Sequence, residues 1–221
     1  TEPFEKLSYD EAIDKYGTDK PDLRINTTIE DFTDIFVNTD VSFISKSLEA
    51  GGYVKGFIID KILTRSEIDT LDGDVKELGS PGLGWFKIED SKVSGPLSKV
   101  ITSEETKKIM KFNNSTMLFQ AGNNNEISPI LDYLRTNLFN DRSEDGYKFV
   151  WIDDFPYFEY ENGELQPSHH PFTSPIDTEE FLNNPESAKA HHYDLVLNGI
   201  ELGSGSQRIN DPYIQKEVLT K

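Results

Sequence analysis

The chain has 221 residues, 35% of them hydrophobic and 28% charged, with no cysteine and a formal net charge of −18 from 22 Lys+Arg against 40 Asp+Glu. That length buries a real core in one large domain or two modest ones, while the cysteine count excludes a disulfide framework and thiolate metal sites. No stretch approaches the ~18 apolar residues of a membrane span and no leader opens the chain, so a cytoplasmic protein is expected, too acidic to grip a nucleic acid by itself.

In chain order, 9–16 reads as a helix, with Ser8 as cap and Glu11 completing a capping box. Gly-Thr-Asp-Lys-Pro-Asp at 17–22 stops it. Residues 28–36 read as helical, with Ile29, Phe32 and Phe36 on one face. A buried strand is expected at 53–60 and a helix at 64–79 capped by Thr64 or Ser66. A strand at 84–88, a helix at 103–111 and a strand at 116–121 complete an α+β pattern of domain size over 27–122.

Asn123-Asn124-Asn125 ends that pattern, and 127–139 is an amphipathic helix. The strongly aromatic 148–160 reads as one or two strands, and 172–190 as a polar loop with a short acidic helix at 178–182. Residues 193–202 give the clearest hairpin signal, two apolar runs around Asn198-Gly199, the type I′ pair. Asp211-Pro212 starts a last helix with Ile214 and Val218 at helical spacing.

The hairpin carries the first chemistry. A two-residue turn pairs Leu197 with Ile200, Val196 with Glu201 and Asp194 with Gly203, placing Asp194 and Glu201 on one sheet face. Two such carboxylates either hold a cation, with Mg²⁺ suited to oxygen ligands, or are solvated acids of a very acidic surface. Arg208 follows Gly-Ser-Gly-Ser at an odd separation from Glu201, so strict alternation puts it on the opposite face. If both line one site, 203–206 must bulge or bend. An Arg so placed offers a planar fork to a carboxylate; otherwise it pairs with a surface acid.

Four histidines form two adjacent pairs, His169-His170 and His191-His192. Neighbours on a strand face opposite ways, so each pair gives at most one ligand to a common ion, and no third-ligand pattern for zinc appears. The glycine-rich 79–84 segment lacks the Lys-Ser/Thr of a phosphate loop and reads as a turn.

Taken together, 16–24 (Tyr-Gly-Thr-Asp-Lys-Pro-Asp-Leu-Arg), 151–159, 168–175 (Ser-His-His-Pro-Phe-Thr-Ser-Pro) and 193–209 resemble the bacterial-type aspartyl-tRNA synthetases, in family order. The resemblance implies an α+β chain: 1–26 as a core-to-insertion connector, 27–122 as an inserted GAD-like domain, 123–147 as return helix and linker, and 148–221 as part of a class II catalytic core with an antiparallel sheet. It implies adenylation of L-aspartate by ATP and transfer to tRNA(Asp), in a homodimeric parent. Asp194 and Glu201 would face Mg²⁺, with Glu201 also at ATP. Arg208 and His169 would bind the aspartate, with His170 as a second candidate. No general base is implied, since such sites work by positioning and charge stabilisation.

Ser204 departs from the family's run of glycines, Asn210 from a common His, and the His191-His192 pair matches no family motif and reads as decorative. Both chain ends look abrupt, and the anticodon barrel, dimer motif and Arg-bearing ATP motif are missing, so a fragment inactive on its own is expected. The alternatives are a non-catalytic interaction or tRNA-contact module, a relative that activates aspartate for another acceptor, and a histidine metal protein.

Overall fold

The computed structural model describes residues 4–142, 144–161 and 164–220; the first and last residues of the abrupt chain ends lie outside them. The chain divides into two units, one of 1–13, 19–26 and 143–221, the other of 14–18 and 27–142. Elements are numbered in chain order, beginning with β1 (Glu5–Ser8) and α1 (Tyr9–Tyr16). Ser8 and Glu11 form the expected reciprocal cap at the start of α1, through Ser8 N to Glu11 Oε2 at 3.0 Å and Glu11 N to Ser8 Oγ at 3.2 Å.

The second unit contains β2 (Glu30–Asp31), α2 (Ser42–Glu49), β3 (Tyr53–Ile59), α3 (Arg65–Glu77), β4 (Gly84–Glu89), β5 (Lys92–Ser94), α4 (Ser103–Ile109), β6 (Ser115–Gly122) and α5 (Asn124–Phe139). Its five strands form an antiparallel sheet in the order β2-β3-β6-β4-β5. Central β6 is buried at almost every position, so both sheet faces are covered. On one face Phe36, Phe86 and Phe119 stack around Met117 and Val54; on the other, Phe57 meets Phe139 of α5. Buried Lys55 is offset by Asp14 Oδ1 at 2.6 Å and by the Tyr53 ring at 4.4 Å.

Residues 28–36 are not helical. They give the short β2 and a single 3₁₀ turn, Thr33–Ile35. The Asp31 carboxylate accepts from Thr33 N at 2.8 Å, and Phe32 N donates to Val54 O at 2.7 Å. Backbone groups are thus satisfied by a side chain and by β3 rather than by a helical ladder. Phe32 and Phe36 still reach the core, because one turn's spacing serves a 3₁₀ segment as well. Helix α2 carries no sequence signal at its start, where Val41 caps without a side-chain bond. Helix α5 begins at Asn124, earlier than the apolar pattern suggests, because Asn123 and Glu126 form a capping box.

The first unit contains β7 (Phe149–Pro156), β8 (Phe158–Glu161), β9 (Glu164–Pro167), α6 (Thr178–Asn183), β10 (Lys189–Leu197), β11 (Ile200–Ser206) and α7 (Pro212–Val218). Its main sheet runs β1-β7-β10-β11. The β7-β10 and β10-β11 pairs are antiparallel, whereas β1 lies parallel to β7. The β8-β9 hairpin, α6 and α7 share a second core around Phe181, Tyr157, Phe158, Ile214 and Val218. Among the described residues no helix is long and apolar enough to cross a membrane.

Candidate functional site

The β10-β11 hairpin turns at Asn198-Gly199, whose φ angles of 50° and 83° are those a type I′ turn demands. The Asn198 side chain anchors the turn, donating to Gly146 O and accepting from Lys148 N, both at 3.0 Å. Leu197 pairs with Ile200 and Val196 with Glu201; the next pair is Leu195 with Gly203. Leu202 is therefore the extra residue of a β-bulge, and it points to solvent, 53% exposed.

This corrects the expected register: Asp194 pairs with Ser204, not Gly203, and alternation breaks at Leu202 rather than within 203–206. The glycine-serine stretch itself stays in the ladder. Gly205 lies opposite Tyr193, where an added Cβ would sit 2.4 Å from the phenol oxygen.

The bulge resets the parity of β11. Ser204 and Ser206 join Asp194 and Glu201 on one face, and Arg208 continues that row. Arg208 is held there by an antiparallel bridge to Thr173, with Ser174 N to Gln207 O at 2.8 Å and Ile209 N to Phe172 O at 2.9 Å. Tyr157 Oη donates to Thr173 O at 2.7 Å and fixes the same segment from below. The segment carrying His169 and His170 is thereby docked beside the Arg208 strand.

These residues enclose a cavity of about 640 Å³ lined by Asp194, Glu201, Arg208, His169, His170 and His192, with Tyr9, Asp19 and Ser168 also at its walls. That is the size of a small-ligand site. All five expected site residues, His169, His170, Asp194, Glu201 and Arg208, thus meet in one place. Arg208 makes no ion pair among the described residues, so its fork is open to a ligand carboxylate.

Asp194 is 4% exposed, which rules out a solvated surface acid at that position. Burial first, and Glu201 second, push its carboxyl above the ordinary carboxylate pKa, while His192 and Lys20 act the other way. Lys20 Nζ lies 3.5 Å from Glu201 Oε2 and 3.3 Å from Asp19 Oδ2. Burial works against the charge on Lys20, but Asp19, Glu201 and Asp194 outweigh it and raise its pKa. Tyr9 is pushed up to about 12 by burial and by Glu159, Asp19 and Asp10.

His169 is held neutral. Burial, helped by His192, lowers its pKa to about 4, against a hydrogen bond to the Pro156 carbonyl. Its Nε2 is buried and has no hydrogen-bond partner among the described residues, so Nδ1 makes the Pro156 bond and Nε2 is left as an acceptor in the cavity wall. Ser168 Oγ is a second buried polar atom without a partner among the described residues. Such atoms await a ligand or water. His170 accepts from Phe172 N through Nδ1 at 3.2 Å, which leaves Nε2 as its donor.

One residue escaped the sequence reading. His192, taken as decorative, lies in the cavity wall with Nε2 3.0 Å from Asp194 Oδ1. Its position two residues before Asp194 on a strand was the available signal, since such residues share a face. Among the described residues no group of three or more His, Cys, Asp or Glu side chains could hold a metal by itself. A pair of carboxylates nonetheless fits Mg²⁺, which takes one or two from protein and the rest from phosphate and water.

The chain matches the family described as tRNA synthetases class II (D, K and N) over residues 1–221. It is 40% identical over 240 residues to the aspartate–tRNA(Asp/Asn) ligase of Hydrogenobaculum sp. (strain Y04AAS1), covering 98% of this chain and 40% of that protein. It is 42% identical over 229 residues to the aspartate–tRNA ligase of Thermosipho melanesiensis, covering 99% and 38%. With the aspartate–tRNA(Asp/Asn) ligase of Chlamydia pneumoniae it shares 35% identity over 229 residues, covering 99% and 39%. The chain therefore spans about 40% of the length of these relatives.

Proposed function

Because this chain belongs to the class II tRNA synthetases of the D, K and N group, we propose that its cavity is the amino-acid and Mg²⁺ half of an aspartate–tRNA ligase site. The observation that carries this reading is the Leu202 bulge, which brings Arg208 round to the face that Asp194 and Glu201 share. Arg208 takes the side-chain carboxylate of L-aspartate as a planar fork. The bare Nε2 of His169 accepts from a donor such as the substrate ammonium, and the Nε2–H of His170 donates nearby. Asp194 and Glu201 would hold the cation, with Glu201 also toward ATP. The electrostatics fit: Glu201 opposes ionisation of Asp194, and a divalent cation held there would relieve that repulsion. When bound, Mg²⁺ would neutralise charge on the ATP phosphates. The chain's own part is to orient and to compensate charge; none of its residues is asked to move a proton.

The same reading assigns 148–221 to the catalytic core, 1–26 and 123–147 to its connections, and 27–122 to an inserted GAD-like domain, supported by the five-stranded sheet of the second unit. The parent is read as a cytoplasmic homodimer that charges tRNA(Asp). A net charge of −18 supports a phosphate-gripping surface on other parts of that protein.

Aspartate-dependent ATP–pyrophosphate exchange by the full-length protein tests the reading. Arg208→Gln is expected to raise the KM for aspartate by about a hundredfold, a charge-assisted pair being worth ~1.5–3 kcal/mol. Residues 1–221 alone are expected to give no exchange. Exchange driven equally by asparagine or lysine, or an unchanged KM in Arg208→Gln, refutes the assignment.

A further inference from the structure

His192 has no role in the site as described so far, yet it touches both halves of the cavity. Its Nε2 lies 3.0 Å from Asp194 Oδ1. Its ring lies on the ring of His169, centroids 4.0 Å apart and planes at 16°. The Phe155 ring stands perpendicular to both imidazoles, at 5.5 Å and 88° to His169 and at 5.0 Å and 90° to His192. The two rings are therefore clamped as a pair, and one of them is bonded to the buried carboxylate. Asp194, only 4% exposed, needs a donor to offset its lost hydration, and a hydrogen on His192 Nε2 supplies it. With Oδ1 so engaged, Oδ2 is the oxygen left to a ligand.

We propose that His192 is a positioning residue, which aims the Asp194 carboxylate at the cation by its hydrogen bond and sets the His169 imidazole at the amino acid by stacking. It acts through two neighbours, as outer-shell partners of metal ligands do. The proposal rests on the reading above for what those neighbours bind, but the contacts that carry it do not.

The two contacts are separable by substitution. His192→Phe keeps a ring against His169 and removes the donor to Asp194; His192→Gln keeps a donor and removes the ring. The probe is Mn²⁺ with ATP, its binding to the full-length protein followed by electron paramagnetic resonance, alongside the KM for aspartate in pyrophosphate exchange. His192→Phe is expected to weaken Mn²⁺ binding about tenfold, with the aspartate KM changed by less than about twofold. His192→Gln is expected to restore Mn²⁺ binding to within about twofold and to raise the aspartate KM about fivefold. Combined with Asp194→Asn, His192→Phe should weaken Mn²⁺ binding no further, because it works through that carboxylate.

Unchanged Mn²⁺ binding in His192→Phe overturns the proposal. So do equal losses in both variants on both readouts, or losses that multiply in the double variant. The expected Mn²⁺ pattern without any aspartate-dependent exchange upholds the hold on Asp194 and refutes the substrate assignment instead.

Discussion

His169 offers the most quantitative consequence of the site, because its pKa lies at about 4 in the folded protein against an ordinary 6.5. Burial and the neighbouring His192 cause this, so protonating His169 opposes folding. Between those two values the unfolded chain binds a proton that the folded one does not, and stability rises with pH there. The contribution is fully present above the unfolded pKa and is lost as pH falls toward 4. At ~1.4 kcal/mol per pH unit, the loss relative to pH 7 is ~2 kcal/mol by pH 5 and ~3 kcal/mol by pH 4. Asp194, raised by burial and Glu201, contributes with the opposite sign, favouring the folded state below its own raised pKa.

The perturbation is His169→Asn, which keeps a polar group and removes the titration. Urea midpoints from pH 7 to pH 4, read by a probe in the unit that carries His169, give the pH dependence of stability in each protein. The wild type is expected to lose ~2 kcal/mol more than the variant by pH 5. The His169 ring proton should meanwhile titrate near 4 in NMR spectra. Parallel stability curves, or a His169 signal titrating near 6.5, would refute the reasoning.

Three further outcomes are expected. Deleting Leu202 restores strict alternation and turns Ser204, Ser206 and Arg208 away from Asp194, so aspartate binding by titration calorimetry should fall by at least about a hundredfold while the hairpin survives. Gly17→Ala should destabilise the second unit by ~2 kcal/mol or more in thermal melts, since φ is 79° there and a Cβ would sit 2.5 Å from Ser128 O. Thr64→Ala removes the capping box with Glu67, and should cost about 1 kcal/mol in urea denaturation without changing ligand affinity.

Much of the secondary structure was legible wherever a local signal fixed it. Asn198-Gly199 marked the hairpin, Thr64 or Ser66 marked the start of α3, and Asp211-Pro212 marked α7. What failed depended on distant partners. Residues 28–36 have helical spacing, yet their backbone bonds go to β3, and α2 has no capping side chain to announce it. At the site, residue types and their resemblance pointed to Asp194, Glu201, Arg208 and both members of the His169-His170 pair. The need for a break in alternation was also readable, since Arg208 stood at the wrong parity. Its location was not, because nothing in Glu-Leu-Gly distinguishes a bulge at Leu202 from one at Gly203. His192 was missed because the family pattern was silent about it, although its spacing from Asp194 was informative.

The bridge between Thr173 and Arg208 also dictates when the cavity comes into being. The β10-β11 hairpin closes through neighbours in sequence, on the ~1–10 μs scale of such elements. The 168–174 segment must return across more than thirty positions, about the separation of Thr173 and Ser206, and longer closures are slower. During refolding the acids on the hairpin are therefore in place before His169, His170 and Arg208 have a wall to stand in. Recovery of ligand binding should trail recovery of the sheet, and that interval measures how late the site is assembled.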